Sequence, residues 1–170
     1  MIGRLTPSDR GTAAAEMALV LPILLALIFG AVELGNYFRS EHVLIKGVRD
    51  GAVYAARQEI TNYDCSVASP TVPATVVNNS KALVRTGQLA GGTDRLPQWT
   101  DGSTVFTITA SCVTDAGGTT LLGIYQVNGG KVPVIEVTAD LPYRSVAGLL
   151  GIPTTGLRLR AVQQAVVTGA

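Results

Sequence analysis

Residues 17–32 read MALVLPILLALIFGAV, an uncharged stretch that lies between Glu16 and Glu33. By itself it is shorter than the ~20 apolar residues with which a helix crosses a bilayer. The flanking residues extend it, because residues 12–38 contain only those two carboxylates and no other charge. The sequence therefore predicts a transmembrane helix over residues 12–38.

A secretory signal peptide is the competing interpretation of this stretch, since its hydrophobic region has a similar length. A signal peptide is followed by small residues at its cleavage site, whereas Glu33, Tyr37 and Phe38 follow the apolar stretch here. Aromatic side chains are typical of the membrane–water interface. The sequence therefore favours a membrane anchor over a signal peptide.

The composition of the chain excludes several classes of protein. Hydrophobic residues make up 47% of the 170 residues and charged residues only 15%, which argues against a disordered chain. The 13 basic and 12 acidic residues form no block of one sign, and aromatic residues are 5%. A nucleic-acid-binding protein would normally show a basic stripe or a base-stacking surface. We therefore expect no nucleic-acid partner.

Beyond the membrane segment, residues 39–60 have the pattern of an amphipathic helix. Its apolar stripe consists of Leu44, Ile45, Val48, Ala52, Ala55 and Ala56. If it continues the transmembrane helix, the two form one long rod, in which the proline and glycines are candidate kinks: Pro22, Gly30, Gly35, Gly47 and Gly51. The two prolines within residues 66–75 predict a loop, and residues 79–89 predict a short second helix closed by Gly91 and Gly92.

Alternation of apolar and polar residues predicts three strands, over residues 104–113, 132–143 and 157–168. The residues expected on the dry face are Phe106, Ile108, Ala110 and Cys112 in the first strand, Ile135, Val137, Ala139, Leu141 and Tyr143 in the second, and Leu157, Leu159, Ala161, Ala165 and Val167 in the third. Residues 121–127 are a fourth candidate strand.

Glycine-rich turns at residues 115–118 and 128–130 suit hairpins between these strands, because hairpin turns need positions with φ > 0. The predicted fold class is α+β. A long N-terminal hydrophobic transmembrane helix continues into an amphipathic helix, and a small antiparallel sheet domain follows over residues 61–170.

Residue types that perform catalysis or bind metal ions are sparse and scattered. His42 is the only histidine, and with Cys65 and Cys112 it lacks the spacing of a metal site. A nucleophile-elbow motif and a phosphate-binding glycine loop are both absent from the sequence. We expect no catalytic residue, no cofactor and no metal site. The two cysteines can form one bridge or remain as two buried thiols.

One further spacing concerns helix packing. Gly47 and Gly51 form a GxxxG pattern with charged residues between the glycines, unlike the apolar setting of membrane dimers. The pattern can still let another helix approach closely.

The junction before the apolar stretch carries the most specific signal. Residues 10–16 read RGTAAAE, and a carboxylate at the head of an apolar helix is costly in lipid, so such a group usually has a partner and a role. Residues 19–25 (LVLPILL), 29–35 (FGAVELG) and 48–57 (VRDGAVYAAR) complete the pattern. In this combination the chain resembles the TadE-like family of minor pilins, or pseudopilins, of tight-adherence (Flp) pili. The last two predicted strands and the loop between them resemble that family more loosely.

The resemblance implies a prepilin leader over residues 1–11 that a prepilin peptidase removes by cleaving between Gly11 and Thr12. Glu16 and Met17 are then the residues for assembly and peptidase recognition, although Met17 stands where such prepilins often have an aromatic residue. It also implies a protein that is not an enzyme and that acts with other pilin subunits and the pilus assembly machinery. The expected location is the inner (cytoplasmic) membrane, single-pass, with the C-terminal domain extracytoplasmic, or the cell-surface pilus after assembly.

The charges that flank the apolar stretch disagree with that orientation. Arg4 and Arg10 precede it, whereas Arg39, Lys46, Arg49 and Arg57 follow it, and the positive-inside rule alone would place the C-terminal part in the cytoplasm. We follow the orientation that the resemblance implies.

Two other classes of function remain open. The chain could be a type II secretion pseudopilin with the same kind of anchor. It could also be a membrane-anchored binding or catalytic domain, for which a cleft that gathers Asp94, Asp101 and Asp115 would be the sign.

Overall fold

The computed structural model describes residues 9–114, 123–146, 148 and 156–169. Its elements are α1 (Asp9–Ala56), α2 (Ala74–Thr86), β1 (Val105–Val113), β2 (Val132–Pro142) and β3 (Arg158–Val166), with turns of 3-10 helix at Ile60–Asn62, Pro97–Thr100 and Gly123–Asn128. The order of elements confirms the predicted α+β class, with a long apolar helix followed by a small antiparallel sheet.

Helix α1 is continuous over 48 residues and contains Pro22 in its interior. At ~1.5 Å per residue it is about 72 Å long. The candidate kink positions therefore do not interrupt it. Its C-terminal end is tied to the end of the chain, because the Thr168 amide donates a hydrogen bond to the Ala56 carbonyl oxygen at 3.0 Å.

The three-stranded sheet has the order β1-β2-β3, and both pairings are antiparallel. Val137 on β2 lies opposite Ile108 on β1 and Gln163 on β3. The predicted dry face of the central strand is confirmed, since its inward side chains Ile135, Val137, Ala139 and Leu141 are all buried. They pack in one core with Leu44, Val48, Ala52 and Ala55 of α1. Ile45, which was predicted to belong to the same apolar stripe, is instead 44% exposed.

Helix α2 begins directly after Pro73 and ends at Thr86. The prediction of residues 79–89 therefore missed its first turn, and it placed the end too late. Gly87 is the residue that ends the helix: its φ of +81° is left-handed, and its amide donates to the Leu83 carbonyl oxygen at 2.9 Å. The loop before α2 is correspondingly shorter than predicted.

Two other predictions are wrong. The fourth candidate strand, over residues 121–127, is a 3-10 helix from Gly123 in the described part, because Gly123 has a φ of +79°, which interrupts an extended chain. Leu157 is 50% exposed rather than inward, because it precedes the first residue of β3 and leaves the alternation. The predicted turn at residues 115–118 lies outside the described residues.

Helices α1 and α2 pack closely through the GxxxG pattern. A Cβ atom added at Gly47 would lie 2.6 Å from the Val84 carbonyl oxygen, and one at Gly51 would lie 2.6 Å from Val84 Cγ2 and 3.1 Å from the Ser80 carbonyl oxygen. Side chains at these two positions would collide with α2. The expectation that the pattern lets a helix approach is confirmed, and the approaching helix belongs to the same chain.

Candidate functional site

Within the described residues, nothing packs over the N-terminal part of α1. Every residue from 12 to 32, here called the lower segment, is exposed, and its large apolar side chains include Leu19 at 74% exposure and Leu27 at 67%. The most apolar window of the helix has a mean hydropathy of 2.5 and contains no buried residue. By length and composition, α1 can cross a membrane once. An apolar surface of this size on a folded chain calls for lipid or another protein to cover it.

The C-terminal part of α1, residues 40–56, is here called the upper segment. It lies against α2 and the sheet and supplies one side of the core, so that Leu44 and Val48 are each only 1% exposed. One helix thus has two environments, one bare and one packed.

The boundary between the two segments is a cluster that we call the collar, formed by Glu33, Asn36, Tyr37 and Tyr143. The Tyr143 hydroxyl accepts a hydrogen bond from Asn36 Nδ2 at 2.8 Å and donates one to the Glu33 carbonyl oxygen at 3.3 Å. The Tyr143 ring meets the Tyr37 ring edge-to-face, with 5.1 Å between ring centroids. The end of β2 is thereby attached to the helix just above the lower segment.

Sequence reasoning assigned Tyr143 to the dry face of a strand and Tyr37 to the membrane interface, and it did not connect them. Tyr143 lies 110 residues from Glu33 along the chain. Burial raises the pKa of the Tyr143 hydroxyl above its usual value, because the phenolate would be poorly solvated there. The only feature of the sequence that could have indicated this contact was an aromatic residue at the end of a predicted strand.

The predicted cleavage junction lies inside α1. The described part of the helix runs from Asp9, so the peptide bond between Gly11 and Thr12 lies within α1. Thr12 and Glu16 are four residues apart and therefore on one face of the helix. Met17 is 65% exposed. Glu16 stands at the start of the exposed apolar surface, within a turn of the N-terminus that cleavage would create.

Cys65 and Cys112 form a disulfide, and their Cα atoms are 5.6 Å apart. The bridge joins the segment after α1 to β1, 47 residues later in the chain. Cys65 is buried, and its carbonyl oxygen accepts a hydrogen bond from Lys131 Nζ at 3.1 Å.

Asp94 and Asp101, two of the three acids whose gathering would indicate an active site, lie apart in the described part of the chain. Asp94 forms an ion pair with Arg85, whose Nη2 lies 2.8 Å from Asp94 Oδ2. Asp101 accepts hydrogen bonds from the Ser103 hydroxyl and amide, which lower the pKa of its carboxyl. These two acids line different cavities, and Asp115 lies outside the described residues.

Metal ligands are similarly dispersed. His42 is exposed on α1, and both cysteines are used in the disulfide. Within the described ranges there is no group of three or more His, Cys, Asp or Glu residues that could hold a metal ion.

A cavity of about 640 Å³ lies beside Asn36 of the collar. Its lining is mixed and includes Asn36, Arg39, Ser40, Gln98 and Arg144. No carboxylate is among the described lining residues, so the cavity presents no acid–base pair of the kind used in hydrolysis.

Comparison with known families supplies one match. The sequence model of a family described as TadE-like protein matches residues 11–53, and this confirms the predicted resemblance for that part of the chain. The match contains the predicted cleavage junction, the lower segment and most of the upper segment, and it does not include the sheet. Comparison with curated proteins and with solved structures finds no match.

Proposed function

We propose that this chain is a membrane-anchored minor pilin, or pseudopilin, that takes part in assembly of a tight-adherence pilus. One observation carries the proposal: the residues that match the TadE-like family coincide with a helix whose lower segment is bare and apolar. Such a segment can lie in lipid before assembly and among neighbouring helices afterwards. The packed domain then provides a surface, and the chain acts as a structural subunit rather than as an enzyme.

In this proposal the chain crosses the inner membrane once, and the domain above the collar lies outside the cytoplasm. The disulfide supports this orientation, since such bonds persist in oxidising compartments and are rare in the cytoplasm. It counts against the orientation that the flanking charges alone would favour. Alkylation of protein from acid-quenched cells, with and without a reductant, tests the bridge; two free thiols would contradict the extracytoplasmic placement.

Processing removes residues 1–11 by cleavage between Gly11 and Thr12, through a prepilin peptidase. The support is the spacing of Gly11 and Glu16 immediately before the apolar surface, within the region of the family match. The intact mass of membrane-extracted protein shows whether residues 1–11 have been removed. A species that retains Met1, or one that begins beyond residue 35, would contradict it.

Glu16 acts in assembly through the amine that cleavage creates. The α-amine of Thr12 is a cation with a usual pKa of ~7.7–8.0, and a carboxylate at the head of an apolar helix needs such a counter-charge. Within one chain, pairing competes with the dipole of the first helical turn, which already favours a carboxylate there. The Thr12 amine of a neighbouring subunit therefore pairs with Glu16, which sets the axial register between adjacent helices.

The deciding experiment compares Glu16→Ala and Glu16→Gln with Glu41→Ala, a matched change on the same helix above the membrane. Both Glu16 variants should be cleaved and inserted yet fail to co-purify with pilus partners or to support piliation. Glu41→Ala should assemble normally. Normal assembly of Glu16→Ala would show that Glu16 only marks the membrane boundary.

A further inference from the structure

Four cationic side chains and one histidine lie along the exposed side of α1 and at the residue that follows it, on the side that points away from the core. Arg39, His42, Lys46 and Arg49 lie on one helix face, and Arg57 follows directly after the last residue of α1; we call these five residues the basic stripe. All five are exposed, and in the described part of the chain their side chains make no hydrogen bond or ion pair.

Apolar side chains border the basic stripe on the same exposed side. Phe38 is 49% exposed, Ile45 44% and Val53 38%. Apolar residues at this spacing with charges beside them are typical of a helix that packs against a second helix, where the charges select the partner. The exposed side of the upper segment is therefore not a uniformly polar, solvated face.

The basic stripe is continuous with the apolar surface of the lower segment. Leu24 and Ile28 lie about five turns below His42 and Lys46, at ~3.6 residues per turn, and so point the same way. A long helix that packs on this side of the lower segment therefore also contacts the basic stripe. The residues of that helix next to the stripe must suit positive charges that this chain does not neutralise.

The acidic residues in this part of α1 form no ion pair with the basic stripe. Asp50 is bound to Arg95, with 3.4 Å between Asp50 Oδ2 and Arg95 Nη1, and Glu41 lies on the half-buried side. A second copy of the chain would enter the membrane in the same orientation and pack in parallel. The basic stripe from Arg39 to Arg57 is about 27 Å long at ~1.5 Å per residue. If two copies were displaced along their axes by less than this length, cations of one copy would still face cations of the other.

We propose that this face docks a helix of a different subunit, one that carries carboxylates beside apolar residues in the stretch above its own membrane span. The inference rests on the proposed function, which brings parallel membrane helices together, and it adds the chemistry of the partner. Like charges disfavour self-association on this face, whereas opposite charges speed the encounter and fix the register.

The test uses the full chain in its native membranes, with a photo-crosslinking amino acid in place of Ile45 and, as a control, in place of Lys81 on the exposed side of α2. The Ile45 probe should give an adduct with another membrane subunit, mapped by mass spectrometry to an acidic stretch just above its span. The Lys81 probe should not give that adduct.

Charge reversal then tests whether the adduct depends on the charges of the basic stripe or only on the closeness of the partner to Ile45. Lys46→Glu together with Arg49→Glu should lower the Ile45 adduct at least about tenfold, whereas Arg160→Glu, an exposed cation on β3, should leave it unchanged. Acid-to-lysine changes in the partner should restore the adduct. An adduct with a second copy, an adduct insensitive to charge reversal, a partner stretch without acids, or no adduct at all would each overturn the proposal.

The outcome is separable from that of the proposed function. If Glu16→Ala leaves piliation intact while the Ile45 adduct still maps to an acidic partner, the assembly role of Glu16 fails and the docking face stands. If Glu16→Ala abolishes assembly while the Ile45 probe captures a second copy, the docking face fails and the pilin-like role stands.

Discussion

The lower and upper segments of α1 are built from similar apolar residues and have opposite surroundings. Leu19 in the lower segment is 74% exposed, and Leu44 in the upper segment is 1% exposed. A Cβ atom added at Gly30 would meet nothing within 4 Å, whereas one at Gly47 would collide with the backbone of α2. A helical sequence thus shows where apolar surface is, and only its neighbours show whether that surface serves the fold or remains for lipid and partners.

The largest effect is expected from removing the disulfide, which tests whether this bond keeps the domain packed against the upper segment. Replacing both Cys65 and Cys112 by Ala should lower the free energy of unfolding of the upper domain by about 4 kcal/mol, because the bridge closes a loop of 47 residues. Trp99, the only tryptophan and a buried one, reports this unfolding by fluorescence in detergent. The helical signal of the lower segment should persist.

The matched control for that change is the wild-type protein with a reductant, which should shift in the same direction. An unfolding midpoint that is unaffected by both treatments would show that packing alone holds the domain on the helix.

A smaller effect separates the two segments directly. Gly47→Ala should lower the unfolding free energy by about 1–3 kcal/mol, since the added methyl group forces α2 away from its close approach at 2.6 Å. Gly30→Ala, the equivalent change in the lower segment, should cause no loss, because its surroundings are open and alanine favours a helix. Denaturant unfolding monitored by Trp99 fluorescence compares the two variants. Equal changes in unfolding free energy would contradict the difference in packing between the two segments.

The smallest effect concerns the last turn of α1, where the Tyr63 hydroxyl donates a hydrogen bond to the Ala55 carbonyl oxygen at 2.7 Å. Tyr63→Phe should lower the unfolding free energy by about 1 kcal/mol at neutral pH, the usual contribution of one hydrogen bond. Unfolding titrations of both proteins, again monitored at Trp99, measure the difference.

The same residue has an alkaline signature with a defined sign. Burial raises the pKa of Tyr63 from 10.0 to about 12, because the phenolate is poorly solvated there, and the nearby Tyr54 adds to the shift. The unfolded chain loses this proton first, so stability is full below pH 10 and falls as the pH rises toward 12. Tyr63→Phe should have a shallower loss over that range. An identical slope in both proteins would contradict the burial of an ionisable hydroxyl at this position.

The regular elements were largely predictable because their signals are local. Alternation over β2 correctly placed Ile135, Val137, Ala139 and Leu141 on the dry face. The prediction failed where a single residue ended an element: Gly87 closed α2 before Gly91, and Gly123 replaced a strand by 3-10 helix. Helix and strand boundaries depend on one or two backbone conformations, which periodicity does not register.

The candidate site was predictable to a different degree in each part. Residues 11–53, with Glu16 and the apolar stretch, carry a family signal that is continuous in sequence. The collar was not predicted, and the absence of a basic stripe, inferred above from composition, is wrong for the exposed side of α1. The collar joins residues 110 positions apart, and the stripe emerges only when the packed side of α1 is known.

The sequence by itself determined that an apolar helix leads the chain, that its length suits a membrane, and that alternating strands follow. Those properties depend on the order of neighbouring residues, and a few turns of helix or strand suffice to express them. The tertiary structure alone decided that the GxxxG pattern receives α2, that Cys65 meets Cys112, and that Tyr143 ends the packed region at Asn36. These outcomes require residues distant in the chain to meet, and only the packing of the sheet against one side of α1 brings them together and leaves the other side free.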